Sequence, residues 1–150
     1  MRFYSPSKGA IYPALKRMEK MGLVQGRVDN SKPLRPRKLY ELTEAGVEEL
    51  RSWLRSPIEP EVLQRGGHEL ELRLAFMDGL LSRREIVDFL SEWRATAQTY
   101  VRSLEDYFQM HAGELGDSPK AALRLGIEQE SARLAAVRKI LREFKRGDMA

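Results

Sequence analysis

Ile11, Leu15 and Met18 fall at helical spacing, with Leu23 one turn further on, past Gly22. Lys8, Tyr12, Lys16 and Lys20 occupy the opposite side. Ser5-Pro6 reads as a capped helix start, because a Pro in the first turn removes only an N–H that would be orphaned anyway. Gly22 reads as a left-handed closing residue, so the pattern predicts a helix over 6–21. Pro13 opposes this, since an interior Pro removes a hydrogen bond and crowds the preceding turn; an irregular first turn or a bend is expected. Leu23 to Val28 reads as a short strand, and Lys38 to Leu42 alternates polar and apolar as a half-buried strand does. The polar stretch Asp29 to Arg37, stiffened by Pro33 and Pro36, joins them into a hairpin over 23–42. Thr43 then caps a helix over 44–55, whose buried side carries Ala45, Val47, Leu50, Trp53 and Leu54. Ser56-Pro57 ends it, and Ile58 to Gly67 reads as a linker.

Glu69 to Leu81 opens with strict alternation, E-L-E-L-R-L, but A-F-M-D-G-L-L does not continue it, so a buried helix is expected. Ser82 and Glu85 form a capping-box pair. Behind it Ile86, Trp93, Tyr100 and Tyr107 recur every seven residues, with Leu90, Ala97, Leu104 and His111 between them. Gly113 and Gly116 break this seam, and Ser118-Pro119 reads as the next start. The last helix, 119 to about 145, shows Leu123, Ile127, Leu134, Val137, Leu141 and Phe144 on one side, interrupted by Glu130. Two helices of this length have more apolar face than a small core absorbs, and the excess predicts pairing of two copies. The expected pairing residues are Ile86, Leu90, Trp93, Tyr100, Leu104 and Tyr107 on the first helix and Leu134, Val137, Leu141 and Phe144 on the second.

Composition narrows the function classes. The apolar fraction of 42% and charged fraction of 32% fit a soluble globular protein. Zero cysteines exclude disulfides and thiolate metal sites and suit a reducing cytoplasm. No apolar run reaches the ~18 residues of a membrane helix, so no membrane role is expected. Catalysis has little to stand on: His68 and His111 are the available neutral-pH bases, and neither sits in a metal or triad spacing. The glycines form no phosphate or dinucleotide loop, so no cofactor, metal or catalytic residue is expected and the chain does not read as an enzyme. Charge is uneven: residues 1–40 hold ten Lys/Arg against two acidic residues, whereas the remaining sixteen Lys/Arg face twenty acids. A basic head on a slightly acidic body is what a polyanion-binding end looks like. A capped basic helix beside a hairpin carrying Lys32, Arg35, Arg37 and Lys38 fits the major groove and the adjacent DNA backbone. A merely solvated face is the plainer reading of each part alone.

The segments S-P-S-K-G-A-I-Y-P-A-L-K-R-M-E-K-M-G-L-V and R-P-R-K-L-Y-E-L-T-E-A-G resemble the recognition helix, wing and following helix of the PadR-like winged-helix transcription regulators, closely over 3–55 and more loosely over 68–145. The resemblance implies a mainly α fold with a small β-hairpin: a winged helix-turn-helix, incomplete at its N-terminus, plus an α-helical dimerisation domain with long antiparallel helices. The expected domains are 1–57 for DNA binding, 58–67 as linker and 68–146 for dimerisation. The resemblance further implies a bacterial cytoplasmic homodimer that binds promoter DNA, usually as a repressor, and in several members is released by a small aromatic effector. Ser7, Lys8, Tyr12 and Lys16 would face DNA from the helix, and Lys32, Arg35, Arg37 and Lys38 from the wing; Trp93 and Tyr100 would pack the dimer seam or, alternatively, line an aromatic ligand slot. Family members carry two further helices ahead of this one. The expectation is that Met1 is an internal methionine of a longer protein, with a deliberate shortening or a short paralogue as alternatives. The competing function is a helical dimerisation or ligand-binding module that does not itself bind DNA.

Overall fold

The computed structural model describes residues 8–29 and 37–147. It divides into two compact units after Ser56. The expected start at Ser5-Pro6 lies outside the described residues.

The first unit is α1 (Lys8–Lys20), β1 (Val24–Asp29), β2 (Arg37–Leu42) and α2 (Glu44–Leu54). Helix α1 runs through Pro13 rather than ending at it. The carbonyl that Pro13 leaves without a partner belongs to Gly9, and both residues are exposed, so water can satisfy it. Gly22 closes the helix at φ 72°, as expected. The strands pair antiparallel from Val24 opposite Leu42 to Asp29 opposite Arg37.

Thr43 joins three of these elements. Its hydroxyl donates to the Gly22 carbonyl at 2.6 Å and accepts from the Gly46 N–H at 3.0 Å, while its own N–H donates to the Leu23 carbonyl at 3.1 Å. Gly46 is buried in the first turn of α2, and a Cβ there would sit 1.9 Å from the Leu23 carbonyl oxygen. The L-T-E-A-G stretch therefore combines a cap with a backbone contact that only glycine permits. Apolar burial is thin in this unit. Val24 and Leu54 are buried, Leu15 and Met18 are half-buried, and Ile11 and Leu42 are exposed.

The second unit is α3 (Pro60–Gln64), α4 (His68–Phe76), α5 (Arg83–His111) and α6 (Asp117–Arg146). The stretch expected as a linker over 58–67 holds α3, because Ile58 and Leu63 are apolar and both are buried. The Ile58 N–H donates to Glu92 of α5 at 2.8 Å. The E-L-E-L-R-L alternation is helical, with Leu70 and Arg73 on its inner side, but α4 ends at Phe76, short of Leu81. Arg73 stacks over Phe89 at 5.0 Å and is almost fully enclosed. Burial pulls its guanidinium below the usual range, against the opposing pull of Glu69 and Glu92. The Ser82–Glu85 capping box forms in both directions. Helix α6 starts at Asp117 with Gly116 as its cap and no side-chain capping bond. Ser118 and Pro119 thus lie inside the first turn rather than before it; Pro119 is tolerated there because first-turn N–H groups have no intrahelical partner.

Helices α5 and α6 run antiparallel, about 45 Å long at 1.5 Å per residue. At one end Arg83 donates to the Phe144 carbonyl at 2.9 Å through Nε; further along, Arg138 donates to Gln98 at 3.2 Å. The buried positions of α5 are Ile86, Phe89, Leu90, Trp93, Ala97 and Val101. From Trp93 the inner line advances in steps of four to Val101, and Tyr100 and Leu104 are half-buried to either side of it. A straight helix drifts about 20° per heptad, so a strict seven-residue reading leaves the core after two repeats.

Two substitutions test these contacts. Gly46→Ala should lower stability by roughly 1–3 kcal/mol through overpacking, beyond the ~1 kcal/mol that alanine offers a helix. An unchanged melting curve in thermal denaturation would contradict the Leu23 contact. Leu90→Ala, at a position with no exposed surface, should cost about 2–5 kcal/mol.

Candidate nucleic-acid interface

The outer face of α1 carries Tyr12, Lys16 and Lys20, one turn apart and all exposed. Tyr12 is 65% exposed. Lys8 begins the helix. Arg17 joins Lys20 in the last turn, where both also complement the negative helix end. Lys16, Arg17 and Lys20 form no ion pair among the described residues. Ser7, Lys32 and Arg35 lie outside the described residues. Arg37 is the first residue of β2 and is exposed, opposite Asp29 in the register.

Lys38, expected as a wing contact, is engaged within the first unit. Its Nζ lies 2.8 Å and 2.9 Å from the two carboxylate oxygens of Glu19 on α1, and 4.9 Å from the centre of the Tyr40 ring. Glu19 also accepts the Gly26 N–H of β1 at 3.2 Å. The Lys38 hydrogen bond, opposed by desolvation, holds the Glu19 carboxyl below its ordinary range, and Glu19 in turn raises the Lys38 ammonium. The sign follows from both directions. The carboxylate's contribution is present above 4.5 and fades as pH falls through its lowered value; the ammonium's is present below 10.5 and fades as pH rises through its raised value. Across the neutral range the pair is intact. Arg27 is similarly engaged, with Glu41 at 3.0 Å across the hairpin. Among the described residues of the first unit, the cations without an ion-pair partner are therefore on α1 and at Arg37.

The residues expected to pair two copies divide into two groups. Ile86, Leu90, Trp93, Leu134, Val137 and Leu141 are buried within a single chain, where they hold α5 against α6 and the short helices. Tyr100, Leu104 and Phe144 are half-buried and Tyr107 is 48% exposed. Met110 and Leu125, not singled out from the sequence, are the most exposed large apolar side chains among the described residues of this unit, at 69% and 60%. Trp93 has no surface to offer a ligand, and its indole N–H finds no acceptor among the described residues. Tyr100 instead lines an open cleft of about 420 Å³ with Pro60, Gln64, Thr96, Thr99 and Ser103. His68 and His111 each sit beside a glutamate three residues on, Glu71 and Glu114. Among the described residues no group of three metal-ligating side chains converges, and no helix is long and apolar enough to cross a membrane.

Residues 1–52 match the family described as Transcriptional regulator PadR-like family. Over 110 residues the chain is 29% identical to the Negative transcriptional regulator PadR of Bacillus subtilis (strain 168), covering 72% of this chain and 58% of that protein. The chain thus spans less than two thirds of the length of that curated relative. The PadR-like transcriptional regulator BC1756 from Bacillus cereus has a similar fold, with a TM-score of 0.51 at 23% identity over 97% of this chain and 81% of that one. The structure of Bacillus subtilis PadR in complex with operator DNA matches with a TM-score of 0.45 at 23% identity, over 95% of this chain and 82% of that one. The matched segment, helix α1 with the hairpin and most of α2, is thus similar to the PadR-like family of transcriptional regulators, and the chain shares the winged-helix fold with a helical C-terminal region of the solved Bacillus cereus structure.

Proposed function

We propose that this chain is a negative transcriptional regulator that binds double-stranded promoter DNA as a homodimer, with α1 in the major groove and the hairpin along the neighbouring backbone. The observation that carries the reading is the α1 face itself. Tyr12, Lys16 and Lys20 are exposed in one line, and the helix's single carboxylate, Glu19, is turned to the hairpin and neutralised there. The resulting surface offers cations to phosphate and a phenol to base edges. The family match, and a relative named as a negative regulator, support repression. Pairing of two copies is supported by Tyr107, Met110 and Leu125, apolar groups left exposed on the two longest helices. A small aromatic effector would find stacking and hydroxyl partners in the Tyr100 cleft.

Two measurements test this. Full-length protein should bind a duplex enriched from a random pool with affinity that falls steeply with salt. Lys16→Ala, Lys20→Ala and Arg37→Ala should each weaken it and each reduce the log–log salt slope by about one. Absent or salt-insensitive binding by a folded protein would defeat the DNA reading. Sedimentation should give a dimer that Tyr107→Glu with Met110→Glu shifts to monomer; an unchanged mass would place the pairing surface elsewhere.

A further inference from the structure

Glu19 is the acidic residue of α1, and its carboxylate is where α1, β1 and β2 meet. It holds a backbone N–H on one strand and an ammonium on the other. Lys38 grips both of its oxygens, and the Tyr40 ring lies within cation–π range of the same ammonium. The space for this arrangement is a missing side chain. A Cβ on Gly26 would stand 2.1 Å from Lys38 Cε and 2.8 Å from the Glu19 oxygen. An ordinary exposed ion pair contributes little, because two mobile chains must be held in one geometry. Here one partner is anchored by a backbone bond and the other lies against a ring. The contact also joins segments far apart in sequence, 19 residues between Glu19 and Lys38.

We propose that Glu19 is a positioning residue for DNA recognition: it fixes the angle between α1 and the hairpin, and it withdraws Lys38 from contact with phosphate to do so. The proposal rests on the DNA reading above. It opposes a simpler role in which Glu19 only masks a cation that DNA would otherwise use. The two differ in sign. Loss of a positioning contact weakens specific binding, whereas loss of a mask strengthens binding.

The test uses the full-length chain with Glu19→Gln, Glu19→Ala, Lys38→Met and the Glu19→Ala/Lys38→Met double variant, each checked for folding by circular dichroism. Affinity is measured for a duplex enriched by the wild type from a random pool and for an unenriched duplex. Hydrogen exchange of the Gly26 amide is followed in the free protein. Glu19→Ala should lose about fivefold in affinity for the enriched duplex, the upper range for an exposed pair, with little change for the unenriched one. Lys38→Met should lose a similar amount, the double variant no more than either, and Glu19→Gln less, since an amide oxygen still accepts from Gly26. Gly26 exchange should quicken in Glu19→Ala. Tighter binding by Glu19→Ala with a salt slope steeper by about one phosphate would overturn the proposal in favour of masking, as would unchanged Gly26 exchange. If the wild type enriches no duplex, the DNA reading falls and the proposal with it. Quickened Gly26 exchange would then still show a clamp between helix and hairpin, which separates the two failures.

Discussion

The first unit depends on the hydroxyl of Thr43. It donates to Gly22, which closes α1, and accepts from the start of α2 at Gly46, while the Thr43 N–H reaches the Leu23 carbonyl just before β1. The end of one helix, both strand ends at the base of the hairpin and the start of the next helix are fixed within one residue's reach. Burial alone would not do this, because Val24 and Leu54 are the buried apolar side chains described there. A junction at one point still leaves a hinge. The Glu19 contact lies away from it, at Gly26 and Lys38 further out on the strands. Two separated points of attachment define an orientation where one permits rotation. A hydrogen-bonded junction and a charge-assisted clamp together supply what a thin core does not.

The second unit is held differently. Its core is a continuous apolar line along α5, met by Leu134, Val137 and Leu141 of α6 and by Ile58, Leu63 and Leu70 from the short helices. Polar contacts here sit at the edges: Arg83 on the last turn of α6, Arg138 on Gln98, and Arg133 bridging Glu130 and Glu71. Arg73 is the exception, a cation inside the core, where the Phe89 ring and two nearby carboxylates offset part of its desolvation.

Local signals were read correctly from the sequence where the physics is local. The Thr43 cap, the Gly22 closure and the Ser82–Glu85 box each depend on residues a few positions apart, and the two strands are marked by their own alternation. Where the deciding partner is distant, the sequence carries less of the answer. Helix α3 reads as a linker in sequence because Pro60 and the paired glycines outweigh two apolar residues whose value depends on α5. The seven-residue seam follows the core through Trp93 and Ala97 and then leaves it, since nothing in a short window separates a period of 3.5 from 3.6. Six of the residues expected to pair two copies are buried within the single chain. Lys38 carried no local mark of its commitment: the glutamate that claims it is 19 residues earlier, and Gly26, which makes room for both, looks in sequence like any strand glycine. Tyr12, Lys16 and Arg37 were legible as exposed polar groups because helical spacing and strand ends decide exposure directly.

The clamp also resolves an apparent weakness in the charge argument. A net charge of +4 over 150 residues is modest for a chain read as binding a polyanion. What DNA senses, however, is the field within roughly a Debye length, about 8 Å at physiological salt, so local arrangement outweighs the total. On α1 the single carboxylate would ordinarily cancel one of the cations beside it. Because Glu19 is paired with Lys38 from the hairpin, that cancellation falls on a residue outside the helix, and Lys16, Arg17 and Lys20 have no ion-pair partner among the described residues. The same contact that sets the helix against the hairpin thus also leaves the helix face uniformly cationic. Geometry and electrostatics are here one interaction, and moving the carboxylate to another position on α1 would forfeit both.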